Sequence, residues 1–396
     1  MNGKYSSQFN TTCGIRQGAP SSALLFIVFI NDLIDYIRDR CISEDVIETL
    51  HILLHADDTM VLSTKLNLFV KKCNLMLKYF ADNSLQLNLD KSGYTCINCA
   101  NDEKHGIMLD NGYLKYKHEL KYLGIFISDK GSLKEDISTF IKRKRGNVLS
   151  KFTNFCTKNY LAPLAIKLRV LDACFTSSIT YSCETWAYKT PKMLEVLHRS
   201  GIKIALAIRQ STCNEIVYAE SFLTPLEISI KYRQLKFWKT ICASNKNNKI
   251  RMLINKAKNL NIDYIKHYVM LEEEFHTPQQ CIQILKQNFF NELRDKFRNE
   301  VDENSKIGSY YKVNPEVKNP NTMWINKTFE LDRILITRYR TGSHNLAIET
   351  GLFSSPAIAR DERVCRCSTD IHTVTHILLH CQLLDDIRNH GFNNVE

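Results

Sequence analysis

The amino-acid sequence predicts an α+β fold in which an antiparallel sheet with helices precedes a mostly α-helical region and a small C-terminal module. Short apolar runs alternate with polar turns over roughly the first 130 residues, which is a mixed α/β pattern. From Leu133 onwards, long helical patterns follow with little strand signal. A dense group of cysteines and histidines after Trp324 marks the last module.

The composition describes a folded chain with a basic surplus. Of the 396 residues, 44% are hydrophobic and 24% are charged, which is typical of globular domains and not of disordered chains. Lys and Arg number 53 against 42 Asp and Glu, giving a formal charge of +11. This surplus suits nucleic acid, because each neutralised phosphate releases counterions. A basic protein without such a partner remains the alternative.

The cysteine pattern and the N-terminus predict an intracellular protein. The chain has 14 cysteines, most of them scattered singly like Cys41 and Cys156, as is typical of reduced thiols. Residues 1–20 begin polar and do not resemble a signal peptide. The most apolar stretch, Ala23 to Ile30, is too short to span a bilayer. We therefore expect a soluble protein in the nucleus or cytoplasm, neither secreted nor membrane-bound.

The first elements of the sequence are a helix and a hairpin. A polar loop, Thr11 to Pro20, leads into an apolar helix from about Ser22 to Arg38. Apolar residues lie on nearly all its sides, which predicts a buried helix. The segments His51–His55 and Thr59–Ser63 flank the turn Ala56-Asp57-Asp58 and predict a β-hairpin.

The next elements complete the first block. An amphipathic helix is predicted over roughly Lys65 to Asp82, and the segment Leu85 to Cys99 turns near Asp90-Lys91. Glu119 to Ser128 predicts a short strand. In the helical region that follows, the basic run Lys142–Arg145 indicates either a surface for a nucleic-acid backbone or a solvated helix face.

Asp57 and Asp58 are the first candidates for chemistry. Adjacent carboxylates repel one another, and a bound cation relieves the repulsion. In polymerases such a pair holds the divalent ions of phosphoryl transfer. Taken alone, an Asp-Asp turn is more often a solvated turn, because Asp is a common turn residue.

Four motifs, one of which contains this pair, favour the polymerase interpretation. They are Gly14-Ile-Arg-Gln-Gly-Ala-Pro-Ser-Ser-Ala-Leu-Leu-Phe26 with Ile30-Asn-Asp-Leu33, His55-Ala-Asp-Asp58, Leu85-Gln-Leu-Asn-Leu-Asp-Lys-Ser92 and Lys121-Tyr-Leu-Gly-Ile125. In this order they resemble the second to fifth palm motifs of the reverse transcriptases of non-long-terminal-repeat (LINE-like) retrotransposons. The resemblance implies a partial polymerase palm over 1–130, a thumb-like helical region over 131–190, a helical connector over 191–323 and a C-terminal module over 324–396.

The resemblance assigns roles to residues of these motifs. It implies that Asp57 and Asp58 hold Mg²⁺ or Mn²⁺ for two-metal nucleotidyl transfer, and that Lys91 neutralises charge or donates a proton near the triphosphate. It implies an RNA template, a DNA primer or target, and dNTPs as partners. The nucleotide and template pocket would contain Arg16, Gln17 and Gly18, and the primer grip would contain Tyr122, Leu123 and Gly124. Without the resemblance, an ordinary loop, a solvated lysine and an edge strand would explain these residues.

The sequence also departs from the family. His55 stands where the family normally has an aromatic residue, and Ala23 replaces the usual proline after Ser22. Met1 to Phe9 resembles the stretch between the first and second palm motifs, so the fingers and the first-motif carboxylate are expected to be missing. A two-metal site needs that third carboxylate. We therefore expect an N-terminally truncated polymerase that is inactive alone. The alternatives are a non-catalytic nucleic-acid-binding protein and a retrotransposon relic.

The C-terminal module carries a candidate zinc site. Its four potential ligands, closely spaced in the sequence, are Cys365, Cys367, His376 and Cys381. Thiolate and imidazole ligands suit a tetrahedral structural Zn²⁺, and the family commonly ends in a similar cluster. His380 is a competing ligand, and simple packing of a helix is the alternative. A zinc knuckle here would contact RNA or DNA, with charge from Arg360, Arg363 and Arg366.

Overall fold

The structure is a computed structural model, and helices predominate in it. The structure describes residues 14, 18–41, 50, 52–99, 105–188, 192–243, 248–260, 262–300, 305–318 and 329–392. The chain divides into two compact units, Met1–Phe140 with Thr240–Lys266 and Ile141–Lys239 with His267–Glu396. Many helices together with small antiparallel sheets agree with the predicted α+β class.

The elements up to residue 158 alternate between helices and hairpins. In order they are α1 (Ser22–Phe29), α2 (Leu33–Arg38), β1 (Ile52–His55), β2 (Asp58–Val61), α3 (Leu66–Asp82), β3 (Ile107–Leu109), β4 (Gly112–Leu114), β5 (Glu119–Tyr122), β6 (Ile125–Ser128) and α4 (Leu133–Lys158). Each described sheet is a two-stranded antiparallel pair of consecutive strands. The hairpin and the amphipathic helix predicted around Asp57 and over Lys65 to Asp82 are confirmed.

The later elements are helices. They are α5 (Leu164–Val170), the π-helical turn Leu171–Thr176, α6 (Ser177–Ile179), α7 (Cys183–Trp186), α8 (Lys192–Leu206), α9 (Asn214–Ser221), α10 (Leu226–Ala243), α11 (Asn248–Asn259), α12 (Asp263–Glu274), α13 (Pro278–Arg298), α14 (Lys306–Val313), α15 (Glu330–Arg340), α16 (Ala347–Thr350), the π-helical turn His376–His380, the 3₁₀ turn Gln382–Leu384 and α17 (Asp385–Phe392). The helical region predicted from Leu133 is confirmed.

Helix α3 organises the core of the first unit. One of its faces, with Met76 and Tyr79, packs on α2 and on Ile52 of β1. Another face, with Cys73 and Leu77, packs on the β3–β4 hairpin. Residues three or four apart share a helix face, so one helix can hold the hairpin β1–β2 on one side and β3–β4 on the other. The acidic turn is thereby attached to a packed core.

The prediction of one buried helix over Ser22 to Arg38 is wrong. The helix is interrupted between α1 and α2, and α1 contains no buried residue. The exposed fractions of Leu24 and Val28 are 64% and 66%, whereas Leu33 of α2 is fully buried. Apolar residues on every side of a helix predict burial only if other elements cover every side, and the described residues do not cover α1.

One further expectation needs correction. Glu119 to Ser128 forms a two-stranded hairpin and not a single strand, because Leu123 and Gly124 reverse the chain. Cys96 and Cys99 are joined by a disulfide, whereas the singly placed Cys41 and Cys156 are free thiols, as expected. Within the ranges that the structure describes, no helix has both the length and the apolar character needed to cross a bilayer.

The second unit has close helix packing and a buried ion network. At Gly201 of α8, an added Cβ would lie 2.6 Å from Cδ1 of Leu171, so glycine allows α8 to approach the π-helical turn. Glu330 accepts hydrogen bonds from Lys167 (2.7 Å) and Arg333 (2.8 Å). These three side chains are at most 7% exposed. Two buried cations thus share one carboxylate.

Candidate active site and metal centre

The acidic pair lies at the tip of the β1–β2 hairpin. Ile52 pairs with Val61 and His55 with Asp58, so the chain reverses at Ala56 and Asp57. Ala56 takes a left-handed conformation with φ of 52°. The strands are anchored by apolar side chains in the core, while both carboxylates remain exposed. Adjacent exposed carboxylates on an anchored turn provide the hard oxygen ligands that Mg²⁺ prefers.

A second hairpin turn is affected by the charge of this pair. Tyr122 pairs with Ile125 across the β5–β6 hairpin, and the residues between them, Leu123 and Gly124, have φ values of 47° and 85°. Two successive left-handed residues are typical of the tightest hairpin turns. Burial and the negative charge of Asp58 both raise the pKa of Tyr122. The charge of the acidic turn therefore acts on Tyr122 of the turn predicted as the primer grip.

The other predicted site residues that the structure describes make no hydrogen bond or ion pair with the acidic turn. Lys91 is exposed, and it makes no hydrogen bond or ion pair with Asp57 or Asp58 in the described structure. Its backbone amide donates to the Asn88 side chain at 3.1 Å, which fixes the turn predicted there. Gly18 is left-handed with φ of 83°. Arg16 and Gln17 lie outside the described residues.

No third carboxylate joins the acidic pair in the described part of the chain. Among those residues, the C-terminal cysteines and histidine group as potential metal ligands, and no group of three or more includes Asp57 or Asp58. Asp32 accepts a hydrogen bond from Tyr79, and Asp35 pairs with Arg38 at 2.7 Å. Both of these carboxylates are therefore engaged elsewhere.

The N-terminal third of the chain, which contains both turns, resembles a known family. Residues 1–127 match the family model of Reverse transcriptase (RNA-dependent DNA polymerase). The match supports the reverse-transcriptase resemblance of this region, which contains both the acidic turn and the Tyr122 turn. No curated protein matches the chain.

The basic run lies on α4, beyond the residues that match the reverse-transcriptase model. Lys142, Arg143, Arg145 and Lys151 are exposed there, and Lys144 is half-buried. The helical prediction for this run is confirmed. Its exposed side chains present positive charge at the surface, as binding to a nucleic-acid backbone requires.

The Cys/His cluster is also outside the reverse-transcriptase region, and its backbone explains the ligand spacing. Val364 and Ile371 form an antiparallel bridge, and the turn between them carries Cys365 and Cys367. The Cys381 amide donates to the His376 carbonyl at 2.7 Å, which is the five-residue hydrogen bond of a π-helical turn. That bond brings two ligands with four intervening residues to the same place.

The four side chains fit a tetrahedral zinc ion. Their ligand atoms lie within 4.8 Å of one another. The Sγ atoms of Cys365 and Cys381 are 3.8 Å apart, and a tetrahedron with Zn–S bonds of about 2.3 Å has an S···S edge of about 3.8 Å. His376 Nε2 lies 3.1 Å from Cys367 Sγ. Hydrogen bonds from Thr369 lower the pKa of the Cys367 thiol to about 6, which favours the thiolate form that binds metal.

Neighbouring residues support the same ligand set. Asp370 Oδ2 is 3.7 Å from His376 Nδ1, on the side where metal-bound histidines commonly face a carboxylate. The competing His380 is exposed and outside the group. His372 Nδ1 accepts a hydrogen bond from the Ala347 amide at 3.0 Å. Arg363, expected to contact nucleic acid, instead donates to the backbone carbonyls of Ile348 and Ile358.

Proposed function

We propose that this chain is an RNA-directed DNA polymerase (reverse transcriptase) of a LINE-type retrotransposon that binds an RNA template, a DNA primer and dNTPs. The exposed Asp57-Asp58 turn, held at the tip of an anchored hairpin within the span of the family match, carries the proposal. The retrotransposon type is supported by the four motifs and by the C-terminal Cys/His cluster.

In this proposal each turn has a separate task. Asp57 and Asp58 hold Mg²⁺ or Mn²⁺, which supplies electrostatic stabilisation of the transferring phosphate. Mg²⁺ sites commonly use one or two protein carboxylates with substrate phosphates as further ligands, so the pair fits this ion. The Tyr122-Leu123-Gly124 turn positions the 3′ end of the primer. Lys91 neutralises charge on the triphosphate.

Further residues extend the proposed site along the chain. Arg16, Gln17 and Gly18 line the nucleotide and template pocket. The helical segments over 131–190 and 191–323 serve as thumb and connector, and the module over 324–396 holds a structural Zn²⁺ that shapes a nucleic-acid contact. The exposed basic side chains of α4 support the thumb assignment, because they suit a duplex backbone.

We further propose that these 396 residues do not extend a primer by themselves. Two-metal transfer uses a carboxylate that bridges the ions, and the described residues place no third ligand beside Asp57 and Asp58. The pair would bind one ion and the incoming nucleotide without supporting turnover. Primer extension on an RNA template with Mg²⁺ or Mn²⁺ tests this point. Extension that Asp57→Asn abolishes would overturn the proposed inactivity and would support the polymerase.

A binding assay tests the polymerase proposal without turnover. The probe is a fluorescent RNA template annealed to a DNA primer with a dideoxy 3′ end, titrated with the full chain. Mg²⁺ plus the complementary dNTP should tighten binding about 10-fold, and Asp57→Asn or Asp58→Asn should remove this effect. Asp82→Asn, at an exposed carboxylate of α3, should retain it. Wild-type binding that ignores cation and dNTP would overturn the proposal.

The second candidate is a non-catalytic nucleic-acid-binding protein. The exposed positive charges of α4 favour it, since they bind phosphates without any acidic pair. It predicts salt-sensitive binding that is indifferent to cation, dNTP and Asp57→Asn. Replacing Lys142 and Arg145 by glutamine would then be the change that weakens binding.

A further inference from the structure

A half-exposed aromatic ring follows α16, and two cations lie close to it. Phe353 is 53% exposed. The guanidinium carbon of Arg209 is 5.8 Å from its ring centroid, and Nζ of Lys306 is 5.6 Å from the same point. The three residues come from separate parts of the second unit. Their spacing in the sequence therefore does not predict that they lie close together.

Polar contacts hold the two cations in place. Arg209 Nη2 donates to the Asn345 side chain at 3.0 Å, and the Arg209 amide donates to Ser343 Oγ at 3.3 Å. Lys306 Nζ donates to Glu349 at 2.8 Å, while Arg209 Nη1 lies 4.0 Å from the same carboxylate. Two positive charges thus meet one negative charge. The surroundings of the ring are net positive, and both cationic side chains remain partly exposed.

Helix α16, which precedes the ring, is tied to the Cys/His module. The Ala347 amide at the start of α16 donates to His372 Nδ1, and Arg363 donates to the Ile348 carbonyl at 2.8 Å. A ring carried by a backbone segment fixed in this way needs less ordering when a ligand binds than a ring on an unsupported loop. Exposure of the ring is consistent with a binding surface rather than a core position.

We propose that Phe353, Arg209 and Lys306 bind single-stranded nucleic acid, with one base stacked on the ring and the adjacent phosphates contacting the cations. This inference rests on the proposed nucleic-acid function. Any base has a π face that stacks on an aromatic ring, and phosphates supply the charge that the cations need. A duplex keeps its bases stacked on one another, so the ring selects an unpaired strand.

Two probes separate stacking from charge. One is a fluorescent 12-nucleotide oligothymidylate, and the other is the matching abasic strand, which has phosphates but no bases. Phe353→Leu keeps an apolar side chain and should weaken oligothymidylate binding about 10-fold, with no change for the abasic strand. Lys306→Gln should weaken both strands and make the salt dependence shallower by about 0.7 in log–log slope.

Matched controls use exposed residues elsewhere in the same unit. Phe329→Leu changes a ring that is 85% exposed, and Lys286→Gln changes an exposed lysine of α13. Neither should change binding by more than about 2-fold. Circular dichroism of each variant checks that the fold is retained. Arg209→Lys, which keeps the charge, is the second variant if Lys306→Gln fails to fold, and it should weaken both strands through loss of the fixed guanidinium.

The outcomes distinguish this inference from the proposed function. If the wild type binds the oligothymidylate and Phe353→Leu binds it equally well, the stacking site is refuted and the proposed function stands. If Phe353→Leu weakens both strands equally, the ring acts through structure and the inference fails. Wild-type protein that binds no oligonucleotide or primer–template would refute both proposals. If the protein binds an acidic peptide but neither strand, and Phe353→Leu leaves the peptide affinity unchanged, the proposal of a nucleic-acid ligand is refuted.

Discussion

Replacing Cys381 by serine is expected to remove zinc from the C-terminal module. Cys381 is 1% exposed, and its sulfur lies 3.8 Å from that of Cys365, the edge length of a zinc tetrahedron. Structural zinc in small modules contributes about 10–16 kcal/mol at neutral pH, so one ligand in four corresponds to about 2.5–4 kcal/mol. At 1.4 kcal/mol for each factor of ten, Cys381→Ser should weaken zinc binding about 60- to 700-fold.

Two measurements on the full chain check this expectation. Metal analysis of the purified wild type should give about one zinc per chain, and competition with a chelator of known affinity should give the loss in the variant. Cobalt substitution adds the ligand identity, because three thiolates and one imidazole give intense sulfur-to-metal charge-transfer absorption. Cys381→Ser should weaken this absorption.

Two controls identify the fourth ligand. His376→Ala should lose zinc, whereas His380→Ala should keep it, because His380 is exposed and outside the cluster. Cys174→Ser removes an exposed thiol that is not in the cluster and should have no effect. Wild-type protein without zinc, or Cys381→Ser with unchanged affinity, would refute the assigned site. Equal loss in both histidine variants would refute the ligand assignment.

Two further predictions concern the stability of the second unit. Glu330→Gln leaves the buried cations Lys167 and Arg333 without their carboxylate and should lower the free energy of unfolding by about 3–5 kcal/mol in urea titrations. Asp332→Asn, an exposed change on the same helix, should shift it by under about 0.5 kcal/mol; equal losses would contradict the role of the network. Gly201→Val places extra methyl groups between α8 and the π-helical turn and should lower the free energy of unfolding by about 1–3 kcal/mol. An unchanged thermal midpoint would contradict the close packing at this glycine.

Local patterns predicted the local structure of the first unit. Alternating apolar residues around the Asp57-Asp58 turn predicted the hairpin, because strand alternation and turn chemistry are set by neighbouring residues. The amphipathic helix over Lys65 to Asp82 was predictable for the same reason. The exposure of α1 was not predictable. Its apolar residues favour burial, but the sequence does not show which elements cover them.

The candidate sites divide in the same way. The ligands of the Cys/His cluster are close in the sequence and share one chemistry, so the site could be predicted before its geometry was known. The effect of the Asp58 charge on the pKa of Tyr122 depends on how two hairpins pack. Local sequence periodicity does not contain that information. The same holds for Lys167 with Glu330 and for Arg209 with Phe353, which are far apart in the chain.

The raised pKa of Tyr122 has a thermodynamic consequence for the acidic turn. Burial and the Asp58 charge together disfavour loss of the Tyr122 proton. In the proposed site, a divalent cation held at Asp58 would offset that charge and make the proton easier to lose. By linkage, loss of the proton would strengthen cation binding by the same factor. Tyr122 would thus couple the cation affinity of the proposed site to alkaline pH.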